Sequence, residues 1–129
     1  MTCARLAVQE FYPFNRNVQL NVTLAYAVGA NAKTLGIRMD EPVTGRPGSG
    51  ASADFGNVSQ VMSAFDLRYG VSEEPVASHT REMAETAITD LALSNALPVA
   101  KTLSLTASDL LCDATLLESA KIKLADRSC

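Results

Sequence analysis

Apolar residues in the first half of this chain follow two different periods. Residues 3–11 alternate between apolar and polar, which predicts a β-strand. Residues 18–35 instead place apolar side chains three or four positions apart, which predicts an amphipathic helix that ends at Gly36. We expect further short strands at residues 37–39 and 64–70, with the proline- and glycine-rich residues 40–50 forming a loop between them.

The second half of the chain predicts two more helices. Thr89 or Asp90 can cap a long helix that runs to Asp113, although Pro98 should make it bend or start late. Asp113 can then cap a final helix over residues 114–124. The apolar stripe of the long helix consists of Leu93, Leu97, Ala100, Leu103, Ala107 and Leu111.

This order of elements predicts an α/β fold in which helices cover a sheet. The first strand starts almost at Met1 without a turn or a polar lead, so we expect the sheet to be incomplete. If central strands are missing, the two long helices should each leave an apolar stripe partly uncovered. Such a chain should bind a hydrophobic dye or self-associate.

Composition excludes several classes of partner. The net charge is -3 and the basic residues are scattered, so we expect no nucleic-acid partner. Cys3, Cys112 and Cys129 have no CxxC spacing, which favours a reducing cytoplasm over a disulfide framework or a thiolate zinc site. No apolar run approaches the roughly 18 residues of a membrane span, so we expect no membrane partner.

Candidate chemistry is concentrated in His79, the single histidine, and in the loop over residues 50–59. An imidazole is a common metal ligand, but a catalytic zinc needs about three protein ligands, and a lone histidine is more often a surface or capping residue. Asp54 can orient a ligand or, as its spacing favours, cap the following turn. Ser52 has no partner histidine at a predictable geometry, so acyl-enzyme chemistry is not indicated.

Three segments resemble a known enzyme family: Gly-Ala-Ser-Ala-Asp-Phe-Gly-Asn-Val-Ser at 50–59, His-Thr-Arg-Glu-Met-Ala-Glu at 79–85, and residues 100–111. Together they are similar to the C-terminal third of a metallopeptidase of family M-twenty, on its amidohydrolase and dipeptidase branch in the aminoacylase-like superfamily. The chain departs from that pattern at Ala53, where threonine is usual, at residues 62–66, which lack Pro-x-x-His-Pro, and at Pro98.

The resemblance implies a fold and a domain division. Residues 1–14 would be the last strand of the lid and dimerisation domain, and residues 15–129 the C-terminal part of the catalytic domain. The fold class would be α/β, a C-terminal segment of a mixed-sheet metallopeptidase catalytic domain with covering helices.

The resemblance also assigns site residues. His79 matches the family's last metal ligand, whereas Ser52, Asp54 and Asn57 belong to the loop that lines the pocket, with Asp54 behind the metal ligands. The remaining ligands and the general-base glutamate lie in the N-terminal half of the family's enzymes. No catalytic residue is therefore assigned to this chain.

The implied function is metal-dependent hydrolysis of amide bonds in dipeptides or N-acyl amino acids, with zinc or another divalent metal and with dimerisation through the lid domain. As a fragment, this chain would be inactive alone and would hold no metal stably. The alternative is a non-catalytic remnant that acts as an interaction module through its exposed N-terminal strand, residues 3–11.

Overall fold

The regular structure in the described part of this protein is helical. The computed structural model describes residues 5–7, 9, 14–39 and 53–125, with side chains described as far as Ile122. Its five helices are α1 (Val22–Thr34), α2 (Phe55–Val61), α3 (Arg81–Ala87), α4 (Asp90–Cys112) and α5 (Ala114–Ala125). Helix α1 packs against α4 and α5, which also contact each other, and α3 packs against α4. In the part of the chain that the structure describes, no helix is both long and apolar enough to cross a bilayer.

The predicted α/β fold is wrong, because none of the described residues belongs to a strand. The predicted short strands at residues 37–39 and 64–70 are irregular, as are residues 5–7 and 9 of the predicted first strand. The rest of that strand, and much of the proposed lid remnant at residues 1–14, lies outside the described residues. The described residues therefore do not form a mixed-sheet catalytic segment.

The error has a physical reason. Alternation of apolar and polar residues is compatible with any extended backbone, whereas a strand also needs a neighbouring strand to accept and donate its hydrogen bonds. At the start of residues 64–70, the carbonyl oxygen of Ala64 instead accepts a 2.8 Å hydrogen bond from the amide of Asn21, at the beginning of α1. The start of residues 64–70 therefore holds the beginning of α1 in place.

Both ends of α1 follow from local chemistry. The helix begins four residues later than the apolar pattern predicts, because Asn21 is its cap and its side-chain oxygen accepts a 3.1 Å bond from the amide of Leu24. The predicted end at Gly36 is confirmed. Gly36 has a φ of 71°, and the next amide, that of Ile37, bonds back 2.9 Å to the carbonyl oxygen of Ala32.

The two C-terminal helices confirm their predicted capping residues. The hydroxyl oxygen of Thr89 accepts a 3.2 Å bond from the amide of Ala92 and caps α4, and Asp113 accepts a 3.1 Å bond from the amide of Leu116 and caps α5. Pro98 lies inside α4, which continues through it to Cys112.

The interior of the described bundle consists of small residues. The hydroxyls of Thr102 and Thr106 are buried in α4, and each donates a 2.9 Å bond to the carbonyl oxygen four residues earlier, so both hydroxyl donors are satisfied within the helix. The buried apolar residues are Ala25, Val28, Ala32, Ala64, Ala92 and Ala120. Helices with such small contact residues can pack closely.

Three large apolar side chains of α4 lie on the face away from the buried threonines, toward solvent. Leu93 is 58% exposed, Leu97 is 54% exposed and Leu111 is 88% exposed. The predicted apolar stripe of this helix is therefore largely exposed, on the side away from the buried Thr102 and Thr106. We define the outer stripe as the six exposed residues along this face of α4: Leu93, Leu97, Ala100, Ser104, Ala107 and Leu111.

Candidate functional site

The segment expected to line a pocket begins α2. Ser52 lies outside the described residues. Asp54 occupies the N-cap position of α2 and is exposed, but its side chain makes no cap hydrogen bond. Asn57 is turned toward the chain itself, because its side-chain oxygen accepts a 2.9 Å bond from the amide of Arg16. Asp54 thus occupies the predicted capping position, but its carboxylate does not make the capping hydrogen bond.

Two further side chains of α2 hold the segment before α1. Ser59 is fully buried, and its hydroxyl accepts a 2.9 Å bond from the amide of Gln19 while it donates a 2.7 Å bond to the carbonyl oxygen of Gly56. Gln60 donates a 2.8 Å bond to the carbonyl oxygen of Asn17. This polar motif therefore fastens residues 16–19 to α2, a role that its residue types alone did not indicate.

Gly56 is required for this attachment. A Cβ atom added at Gly56 would lie 1.9 Å from the carbonyl oxygen of Arg16, a separation that no side chain can adopt. The glycine of the Asp-Phe-Gly-Asn-Val-Ser motif thus allows a close backbone approach between α2 and the segment before α1.

His79 lies in the turn that leads into α3. Its φ of 62° is in the left-handed region, and the residue is exposed. The capping role belongs to its neighbour Thr80, whose hydroxyl accepts a 3.1 Å bond from the amide of Met83 and donates a 2.8 Å bond to the carbonyl oxygen of Ala77. The imidazole is therefore free of the capping role and open to solvent.

The residues that the structure describes do not complete a metal centre around His79. Within residues 5–7, 9, 14–39 and 53–125, no three His, Cys, Asp or Glu side chains are grouped closely enough to hold a metal ion. A catalytic zinc needs about three protein ligands and an open position, and His79 supplies one imidazole. Asp54 starts α2, whereas His79 precedes α3, which packs on α4. The role of His79 as a ligand stays a prediction.

The orientation of α4 is fixed by a polar contact with α1. The side-chain nitrogen of Asn31 donates a 3.1 Å bond to the hydroxyl of Thr106 and a 2.7 Å bond to the carboxylate of Asp109. Because Thr106 and Asp109 lie on the α1-facing side of α4, these bonds hold the outer stripe toward solvent. An apolar periodicity gives no information about such a contact.

A shallow groove crosses the middle of the outer stripe, where the end of α1 approaches α4. Its volume is about 490 Å³. Ala100 and Ser104 are the small residues at its centre, and Lys101 is the cation of α4. The groove is lined by Leu35, Leu97, Ala100, Lys101, Ser104 and Leu105. The sequence shows the small residues but not Leu35, which tertiary packing brings beside them.

Comparison with known proteins finds no match for this chain among protein-family models, curated proteins or solved structures. The metallopeptidase resemblance therefore depends on the motif residues of this chain alone.

Proposed function

We propose that this chain is a helical interaction module that binds a protein partner through the outer stripe of α4. The observation that supports the proposal is the outward position of Leu93, Leu97 and Leu111 on a helix whose inward face is built from alanine and threonine. Exposed apolar residues aligned along one helix face are typical of a recognition surface, whereas single scattered ones need no explanation.

The anchoring of α4 supports the same proposal. Buried Thr102 and Thr106, the contact from Asn31 and the caps at Thr89 and Asp113 hold the helix in one orientation. A rigid helix face loses little conformational entropy when it binds, so its apolar contacts contribute more of their free energy to affinity. A partner helix that lies along this face would use the helix-in-groove mode of recognition.

A fluorescent hydrophobic dye tests the accessibility of this surface. We expect the purified chain to enhance the dye's emission, and Leu93→Ser with Leu111→Ser to remove most of the enhancement. Tyr26→Ser is the matched control, since Tyr26 is 67% exposed on α1 and lies outside the stripe. An unchanged signal in the leucine double variant would contradict the proposal.

A second proposal follows from the motif resemblance: the chain contributes to a metal-dependent hydrolase of amide bonds in dipeptides or N-acyl amino acids. The observation that favours it is the exposed imidazole of His79, which has no structural role in capping α3. His79 would be one ligand of zinc or another divalent metal, and the other ligands would come from another polypeptide segment. The described residues alone do not fit a metal centre, so no catalytic step is assigned to them.

The coding sequence upstream of Met1 tests the hydrolase proposal. An open frame with His-x-Asp and Glu-Glu motifs would support it, and an unrelated or closed frame would contradict it. Where such a frame exists, His79→Asn in the joined protein should lower the bound metal, because asparagine tolerates the left-handed backbone but lacks the imidazole. Unchanged metal content in that variant would exclude His79 as a ligand.

A further inference from the structure

We propose that the partner of the outer stripe is a second copy of this chain, with the two α4 helices antiparallel. The inference rests on the proposed interaction function and names the partner. Successive residues of the stripe are 4, 3, 4, 3 and 4 positions apart, which is the spacing of a coiled-coil seam. This order is the same from either end of the helix, so an antiparallel copy can place a stripe residue opposite every stripe residue.

The sizes of the side chains favour the antiparallel arrangement. It places Leu97 opposite Ala107 of the second copy, and Ala100 opposite Ser104 of the second copy. A parallel pair would instead place Leu97 opposite Leu97 of the second copy. The next three stripe residues, Ala100, Ser104 and Ala107, would then form three successive layers of small side chains. Interfaces pack as densely as protein interiors, so large residues against small ones fill the space better.

The residues that flank the stripe favour the same arrangement. On one side lie Ala96, Leu103 and Leu110, and on the other side lie Ser94, Lys101 and Ser108. In an antiparallel pair each flank meets the same flank of the second copy, so exposed Leu103 contacts its own equivalent. In a parallel pair the apolar flank would meet the polar flank.

The groove lies at the centre of this pairing. Ala100 and Ser104 would be at the closest approach of the two helices, and their short side chains allow the backbones to come near each other. Leu35 and Leu105 form walls of the groove and would contact the second copy from α1 and α4.

The area predicts weak association. The stripe from Leu93 to Leu111 is about 27 Å long. We expect it to bury on the order of 500 Å² per copy, compared with about 800 Å² per partner in a standard interface. The two Lys101 side chains would lie on the same flank and repel each other, so added salt should strengthen the dimer.

Sedimentation equilibrium of the full chain tests the dimer. We expect a reversible monomer–dimer equilibrium that Leu97→Ser weakens at least tenfold and Lys101→Gln strengthens, whereas Tyr26→Ser leaves it unchanged. A chain that stays monomeric up to millimolar concentration would overturn the proposal. If the monomeric chain still binds the dye and the leucine substitutions still remove that binding, another partner covers the stripe and the proposed interaction function stands. If the dye binding is also absent, both fail.

Cysteine cross-linking tests the orientation. In a Cys3→Ser, Cys112→Ser and Cys129→Ser background, a mixture of the Leu93→Cys and Leu111→Cys proteins should form the mixed disulfide. The Leu93→Cys protein alone should form little dimer, because its cysteines would lie at opposite ends of the interface. Preferential cross-linking of the Leu93→Cys protein with itself would show a parallel pair and overturn the proposed arrangement.

Discussion

The side-chain nitrogen of Asn21 donates a 2.8 Å hydrogen bond to the carbonyl oxygen of Ala120, which is 99 positions away in the chain. Asn21 is completely buried and also caps α1 through its side-chain oxygen. One amide thus starts the first helix and attaches it to the last.

Asn21→Ala should destabilise the fold, because it removes both the helix cap and a buried hydrogen bond. We expect the free energy of unfolding to fall by about 2–3 kcal/mol. Urea denaturation measures this loss. The control is Thr34→Ala, an exposed change at the other end of α1 that should alter stability by less than about 0.5 kcal/mol. Equal effects of the two variants would show that Asn21 does not connect α1 to α5.

Gly56→Ala should detach the segment before α1 from α2, because the added Cβ would overlap the carbonyl oxygen of Arg16. We expect faster hydrogen exchange at the amides of Arg16 and Gln19, together with a loss of about 1–3 kcal/mol. Gly29→Ala is the matched control, since in the middle of α1 its added Cβ would meet no atom within 4 Å apart from its chain neighbours and the surrounding helix backbone. That change should stabilise the helix by about 1 kcal/mol. A stable Gly56→Ala protein with normal exchange would refute the close approach.

The helices that the sequence predicts well are those whose ends depend on local chemistry. Thr89, Asp113 and Gly36 act within a few residues of themselves, so their roles follow from residue type and spacing. Helix α4 is predicted along its whole length for the same reason.

The predicted sheet failed because strands depend on partners distant in sequence, which alternation does not reveal. The same limit applies to the candidate site. The metallopeptidase resemblance implies a pocket for Asp54 and Asn57, but the contact between Asn57 and Arg16 spans 41 positions. The direction of the outer stripe likewise depends on Asn31, whose partners in α4 are 75 and 78 positions away.

Asn31→Asp should weaken the contact between α1 and α4, because it replaces an amide donor by a second carboxylate beside Asp109. We expect a loss of about 1–2 kcal/mol at neutral pH. Adding Asp109→Asn should recover much of it, since the amide and the carboxylate are then exchanged across the pair. A double-mutant cycle in urea measures this coupling, and purely additive losses would show that the two side chains do not interact.

The purified chain should not hydrolyse dipeptides or N-acyl amino acids. The described residues supply a single imidazole at His79 and no group of three potential ligands, whereas metal-assisted hydrolysis needs an anchored metal with an open position. Product release assayed with added zinc, manganese or cobalt checks this. Turnover that a chelator abolishes and that His79→Asn also abolishes would contradict the expectation.

The outward position of Leu97 and the inward position of Thr102 are tested together by a pair of substitutions, with unfolding measured in urea at a concentration where the chain is monomeric. Leu97→Ala should change stability by less than about 0.5 kcal/mol, because the side chain is already more than half exposed. Thr102→Leu should cost about 1–3 kcal/mol, because it adds volume at a position that is 1% exposed. If the stripe instead faces the interior, Leu97→Ala should cost about 2 kcal/mol or more, as the truncation of a buried leucine does, and Thr102→Leu should be tolerated. That result would contradict the outward position of the stripe.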